Sequence, residues 1–167
     1  VSELNIYMMS DKTLLPLYST RESACFDLRC CFHKDTLVCY GSDNAKRELE
    51  VKNGKVLLPA GSRTLVPTGL IFDIPEGYSV RIHPRSGTSL KFGLTLINSE
   101  GIIDSDYTDE VMIPIHNASS TLVEIADGER YAQAELVKCG DRPIFMITTQ
   151  PPCKGDRTGG FGSTGVS

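Results

Sequence analysis

Apolar side chains return at every second position in three separate segments of this chain. Tyr78, Val80 and Ile82 alternate with Ser79, Arg81 and His83. Val111, Ile113 and Ile115 alternate with Met112, Pro114 and His116, and Ala132, Ala134 and Leu136 alternate with Tyr131, Gln133 and Glu135. A period of two is the repeat of a half-buried strand. Turn formers punctuate the segments: Pro59-Ala60-Gly61, Pro75-Glu76-Gly77, Asp127-Gly128 and Cys139-Gly140-Asp141. Many short strands set apart in this way predict an all-β sandwich or barrel-like domain. Asn53-Gly54 is the sharpest turn signal. Both residues tolerate the positive φ of a type I′ turn, so Leu49–Lys52 and Lys55–Leu58 are expected to form a hairpin. The single helix candidate is short: Ser86 caps it, Thr88–Lys91 form it, and Gly93 stops it.

A chain of 167 residues suits one domain, and folding at that size buries roughly 70% of the unfolded surface. The character changes at about Thr148. Gln150-Pro151-Pro152 interrupts strand continuation, and Gly155–Ser167 holds five of the 15 Gly with Phe161 as its one aromatic residue. Residues 1–147 therefore read as the β core and 148–167 as a mobile, glycine-rich arm. No apolar run approaches the roughly 20 residues of a spanning helix, which argues against a membrane protein. A net charge of −4 and a pI near 5.4 argue against general nucleic-acid binding. Val1–Asp11 has no basic leader followed by an apolar stretch, so an intracellular location with six reduced cysteines is expected. Cys30, Cys31, His33 and Cys39 match no common zinc spacing. The sequon Asn117-Ala118-Ser119 carries no meaning for a chain that stays inside the cell.

Four constellations could carry chemistry. Pro84-Arg85-Ser86-Gly87 lies at a strand-to-helix junction, where free N–H groups, a hydroxyl and a guanidinium make an anion site. Gly101-Ile102-Ile103-Asp104-Ser105-Asp106-Tyr107 sets two carboxylates two residues apart, on one strand face or around a tight turn. Gly159-Gly160-Phe161-Gly162-Ser163-Thr164-Gly165 combines accessible backbone N–H groups, two hydroxyls and a stacking surface. Gly128-Glu129-Arg130-Tyr131-Ala132-Gln133 is weaker, since a solvated strand edge accounts for it equally well. Taken together, an anion site, a carboxylate pair and a glycine-rich arm suit a polyphosphate substrate with a divalent metal.

At these residues the chain resembles the trimeric dUTPase family, which is known by five ordered motifs. Ala24-Cys25-Phe26-Asp27-Leu28 resembles the first, Pro84–Gly87 the second, Asn98 with Gly101–Tyr107 the third, Gly128–Gln133 the fourth and Gly159–Gly165 the fifth. The similarity spans residues 13–165. It implies a distorted jelly-roll of the β-clip type, assembled as a homotrimer whose shared sites convert dUTP and water to dUMP and pyrophosphate with Mg2+. Asp104 would then activate the water that attacks the α-phosphorus. Tyr107 would pack on the deoxyribose, and Asn98 with the backbone of a hairpin from Leu94 to Tyr107, Gly101 and Ile103 included, would bind uracil. Arg85, Ser86, Gly87 and Gln133 would hold the phosphates, and Asp27 would reach the metal through water. Phe161 would stack over uracil, with Gly162, Ser163, Thr164 and Arg157 around the γ-phosphate. The implied setting is the cytoplasm, including that of a virus- or phage-infected host.

The sequence departs from the family pattern in places. Cys25 stands where Gly is usual, and Asp109 replaces the Gly expected after Thr108. Arg157 lies one residue nearer the Gly-Gly-Phe run, and residues 37–58 look longer than the family core, with an extra hairpin. dCTP deaminases share the fold but need a glutamate in the strand after the carboxylate turn; Val111–His116 has none and contains Pro114. A non-catalytic regulatory module on the same scaffold is the rival from another class, and retained Asp104, Tyr107 and Phe161 argue against it.

Overall fold

The computed structural model describes residues 3–147. Its strands are β1 (Asn5–Met8), β2 (Leu17–Tyr18), β3 (Phe26–Arg29), β4 (Thr36–Tyr40), β5 (Lys46–Glu50), β6 (Lys55–Leu58), β7 (Arg63–Pro67), β8 (Leu70–Asp73) and β9 (Tyr78–Pro84). After helix α1 (Ser86–Phe92) come β10 (Leu94–Leu96), β11 (Gly101–Ile103), β12 (Met112–Asn117), β13 (Val123–Ala126) and β14 (Arg130–Lys138). Two five-stranded sheets dominate, in the orders β10-β12-β7-β4-β5 and β11-β9-β14-β3-β2. All their pairings are antiparallel. Neighbours distant in sequence, and among the described residues one short helix and no closed barrel, make this the expected all-β distorted jelly-roll.

The period-two segments are the strands of the core. Val80 and Ile82 of β9, Ile113 and Ile115 of β12, and Ala132 and Ala134 of β14 are buried. They join one cluster with Leu28, Val66 and Leu70. Each large aliphatic side chain placed there contributes about 1.5–3 kcal/mol by leaving water. Arg81 and His83 of β9 and Gln133 and Glu135 of β14 are left on the outer face of the second sheet, which carries part of the site, whereas Ser79 is buried.

Local signals hold in detail with three corrections. Asn53 and Gly54 have φ of 51° and 71°, and Lys52 and Lys55 exchange two backbone hydrogen bonds across them. The turn is therefore present, but the two arms part after this single bridge: β5 pairs with β4, and β6 pairs with β13. Within residues 37–58, β4 and β6 place Leu37, Cys39, Val56 and Leu58 in the core, while β5 is the exposed edge.

Gly93 ends α1 in the left-handed region at φ 67°, as its sequence position predicts. Ser86, however, does not cap the helix. Arg85 occupies the cap position in an extended conformation with no side-chain cap, so Ser86 already lies inside the first turn.

The third correction concerns 94–107. β10 is the edge strand of the first sheet and β11 the edge strand of the second, and they are not paired with each other. The expected hairpin is instead a crossing between sheets. It is tightened by bonds from Ser99 N to Leu96 O and from Glu100 N to Asn98 O, with Ser99 at φ 64°.

Candidate active site

The candidate residues fall into two groups. The first surrounds the end of β11. Asn98, Gly101, Ile103, Asp104 and Tyr107 line one cleft of about 500 Å3, together with Ile82 from β9. Ile103 points into the core while Asp104, one residue on, is exposed. The chain then turns sharply, with Tyr107 N donating to Asp104 O at 3.2 Å. The carboxylates of Asp104 and Asp106 thus flank a tight turn rather than a strand face. Gly101 packs closely, since a Cβ built there would meet Ile82 Cβ at 3.1 Å. The Tyr107 hydroxyl donates to the Glu110 carbonyl at 2.9 Å. Burial, reinforced by Asp109 and Glu110, pushes this phenol up from its ordinary value.

The second group lies where β3, β9 and β14 run side by side. Register places Asp27 opposite Gln133 and Gln133 opposite His83, so all three share the outer face. Asp27 is enclosed by cations: Arg85 Nε lies 2.9 Å from its Oδ1 and Arg130 Nη1 lies 3.0 Å from its Oδ2. Ser19 Oγ also donates to Oδ2, at 2.9 Å. Burial disfavours the charged carboxylate, but the Ser19 and Arg130 hydrogen bonds and the two guanidinium charges outweigh it and hold Asp27 below the usual range. Arg85 additionally donates to Arg130 O, and Gln133 Nε2 donates to Pro84 O at 3.1 Å. These contacts fix the strand-to-helix junction from which Ser86 and Gly87 begin α1, where first-turn N–H groups lack intrahelical acceptors.

Among the described residues, no hydrogen bond or ion pair joins one group to the other. Arg157, Phe161, Gly162, Ser163 and Thr164 lie outside the described residues, as does the whole of 148–167.

Sequence reasoning missed several neighbours. His83 stands between Glu135 (3.1 Å) and Glu100 (3.7 Å), and Glu100 also faces Arg81 at 3.6 Å. His33 pairs with Glu110 at 2.8 Å. The local signal for Glu110 was slight: it is the last residue of the acidic loop before buried Val111. Asn117 of the sequon is fully buried, so its amide is sealed from any modifying enzyme in the folded chain.

The donor set limits how a divalent cation could bind. No group of three His, Cys, Asp or Glu side chains among the described residues could hold one. A carboxylate offers about four lone-pair positions; two donors, Ser19 and Arg130, already occupy Oδ2 of Asp27, and Arg85 stands against Oδ1 as an ion pair. Only Oδ1 is left to accept, beside the Arg85 cation, which fits contact with a metal through a water and does not fit a direct protein cage.

Residues 48–165 match the dUTPase family. The deoxyuridine 5'-triphosphate nucleotidohydrolase of Brucella melitensis biotype 2 is 40% identical over 157 residues, covering 92% of this chain and 85% of that protein. The enzyme of the same name from Nautilia profundicola is 35% identical, covering 98% of this chain and 99% of that protein. Among solved structures, the dUTPase of Staphylococcus bacteriophage 80alpha with dUpNHpp superposes with a TM-score of 0.75 at 20% identity, covering 99% and 100% of the two chains. The Streptococcus mutans dUTPase gives a TM-score of 0.65 at 24% identity, covering 85% and 99%.

Proposed function

The chain belongs to the dUTPase family, and from that premise we propose how its residues hydrolyse dUTP to dUMP and pyrophosphate. Asp104, exposed at the mouth of the cleft, takes the proton of the water that attacks the α-phosphorus. Asn98 and the backbone at Gly101 and Ile103 receive uracil. A closely packed backbone rejects other bases by leaving buried donors and acceptors unpaired. Tyr107 packs against the deoxyribose. Arg85, Ser86, Gly87 and Gln133 bind the phosphates and stabilise charge developing on them. In the arm, Phe161 covers the base, and Arg157, Gly162, Ser163 and Thr164 close on the γ-phosphate; these assignments rest on the motif alone.

The dUTPase of phage phi11 of S. aureus, a structural neighbour, coordinates a structural Mg(II) ion. In this chain Mg2+ would neutralise the triphosphate when bound, and Asp27 would hold it through water from Oδ1.

The observation that carries this reading is the convergence of Asn98, Gly101, Ile103, exposed Asp104 and Tyr107 on one cleft, which Arg85, Ser86, Gly87 and Gln133 do not line. A site assembled across a homotrimer brings the two groups together. Exposed apolar side chains support such an assembly. Ile144, Phe145, Met146 and Ile147 are each more than 80% exposed, a contiguous apolar stretch of the kind that marks an interaction site. No helix among the described residues is long and apolar enough to cross a membrane. Cys25, Cys30, Cys31, Cys39 and Cys139 are free thiols, which supports the interior of a cell as the setting.

Pyrophosphate release from dUTP, dTTP, dCTP and UTP in Mg2+ tests the reading. Strong preference for dUTP is expected. Comparable turnover of dTTP would sink the base-site assignment, and ammonia release from dCTP would indicate a deaminase.

A further inference from the structure

We propose that Glu110 is a positioning residue for Tyr107, locked in place by His33 and the backbone of Gly69, and that this lock tunes discrimination between dUTP and UTP. The proposal rests on the reading above in which Tyr107 packs on the deoxyribose.

Glu110 sits where the site loop rejoins the core. Its Oε1 accepts from Gly69 N at 2.7 Å, and His33 Nε2 lies 2.9 Å and 2.8 Å from its two oxygens. An ionised carboxylate only accepts, so the imidazole must carry a proton on Nε2. The Glu110 side chain is 14% exposed, so these bonds are poorly replaced by water. The backbone on the far side is pinned as well. Val111 N donates to Leu70 O at 2.8 Å, and Thr68 Oγ1 donates to Val111 O at 2.6 Å.

The one Glu110 group that faces the site is its carbonyl, which accepts from the Tyr107 hydroxyl. Tyr107 is 40% exposed and forms a wall of two clefts. Among the described residues, no other hydrogen bond holds the far end of its ring. A ring that must leave no room for a 2′-hydroxyl has to be held to within a fraction of an ångström. Glu110 supplies that constraint through the chain His33–Glu110–Tyr107. Its members come from two places, the segment after β3 and the site loop that ends at Glu110.

The test measures kcat and KM for dUTP and UTP with Glu110→Ala, Glu110→Gln and His33→Ala, alone and in a Tyr107→Phe background. One net hydrogen bond corresponds to a change of about three- to tenfold. Glu110→Ala should lower the dUTP-to-UTP ratio of kcat/KM by about that factor. The change should come mainly through a rise in kcat/KM for UTP, whose 2′-hydroxyl the loosened ring admits, with kcat for dUTP little changed. Glu110→Gln keeps an acceptor for Gly69 N and should largely rescue the ratio. In the Tyr107→Phe background Glu110→Ala should cost nothing further, because the two act through one contact. If Glu110→Ala fails to fold, His33→Ala, which leaves Glu110 bonded to Gly69, must show the same direction of change. An unaltered ratio in the folded single variants overturns the proposal, as does an undiminished effect without the Tyr107 hydroxyl. Failure of the wild-type protein to hydrolyse dUTP would instead overturn the functional reading.

Discussion

Arg85 Nε stands 2.9 Å from Asp27 Oδ1, so the cation at the start of the helix is held by a carboxylate from a strand 58 positions earlier in the chain. The Asp27 side chain is only 11% exposed. An unpaired carboxylate at that depth would be costly. The arrangement aims Arg85 at the phosphate side of the site while removing its freedom to wander.

Asp27→Asn should therefore loosen Arg85 and Arg130 together. The loss of charge-assisted hydrogen bonds is expected to lower stability by ~1.5–3 kcal/mol and kcat/KM by about a hundredfold or more. Thermal melting and pyrophosphate release measure the two effects. The pH dependence has a definite sign. The folded carboxyl is held below its ordinary 3.8, so its contribution is complete above that value and is lost as pH falls through the folded value. The melting-temperature gap between wild type and Asp27→Asn should narrow as pH drops below about 4. A constant gap would contradict the ion-pair assignment.

Asp104→Asn tests the chemistry rather than the scaffold. Asp104 is exposed and holds its turn through its backbone carbonyl, not its side chain. The amide should fold normally and still bind a non-hydrolysable dUTP analogue, while kcat falls about 10²–10⁴-fold with loss of the base. Calorimetric binding beside steady-state turnover separates these outcomes. Near-normal turnover would remove Asp104 from the mechanism.

The sequence showed what repeats locally and hid what is joined at long range. Alternation at Val80 and Ile82, at Ile113 and Ile115, and at Ala132 and Ala134 marked three core strands because the pleat has a fixed period. Asn53-Gly54 and Gly93 were legible because positive φ restricts residue choice. The crossing at 94–107 was not legible. Two short apolar runs around a turn look alike whether they pair with each other or with strands elsewhere. Ion pairs were harder still: Arg130 meets Asp27 across 103 positions, and His33 meets Glu110 across 77. No local pattern encodes such contacts, since they arise only when distant strands and loops are brought together. The family motifs marked Asp27 and Arg85 as site residues but said nothing of their mutual bond.

Asn117 is a buried polar group with every valence used. Its Nδ2 donates to Leu58 O at 3.0 Å and Thr121 O at 2.8 Å, and its Oδ1 accepts from Ser119 N and Ser119 Oγ. It ties β12 to β6 and to the loop that follows β12. Asn117→Ala would orphan groups on both sides, at about 1–3 kcal/mol for each one left dry. Denaturant unfolding should show a midpoint loss equivalent to ~2–4 kcal/mol with the slope unchanged. A loss under about 1 kcal/mol would mean that water replaces the network.

Gly69 and Gly77 separate two costs that a glycine replacement usually mixes. Both have positive φ, 70° and 80°, so alanine at either position incurs about 1–2 kcal/mol of backbone strain. A Cβ at Gly77 meets nothing within 4 Å, whereas at Gly69 it would lie 2.4 Å from Thr13 Oγ1 and 3.2 Å from Cys31 Sγ. Thr13 and Cys31 are both buried and have little room to retreat. Gly69→Ala should accordingly exceed Gly77→Ala by about 1–3 kcal/mol, the usual range for overpacking. Chemical denaturation of the two variants gives the difference. Adding Thr13→Ala to Gly69→Ala removes the nearest colliding atoms, so the double variant should be more stable than the sum of the two single changes implies. Strict additivity would show that the turn shifts away from Thr13 instead of pressing against it. In that case Gly69 N would move from the Glu110 carboxylate, and the dUTP-to-UTP ratio of kcat/KM would fall with it.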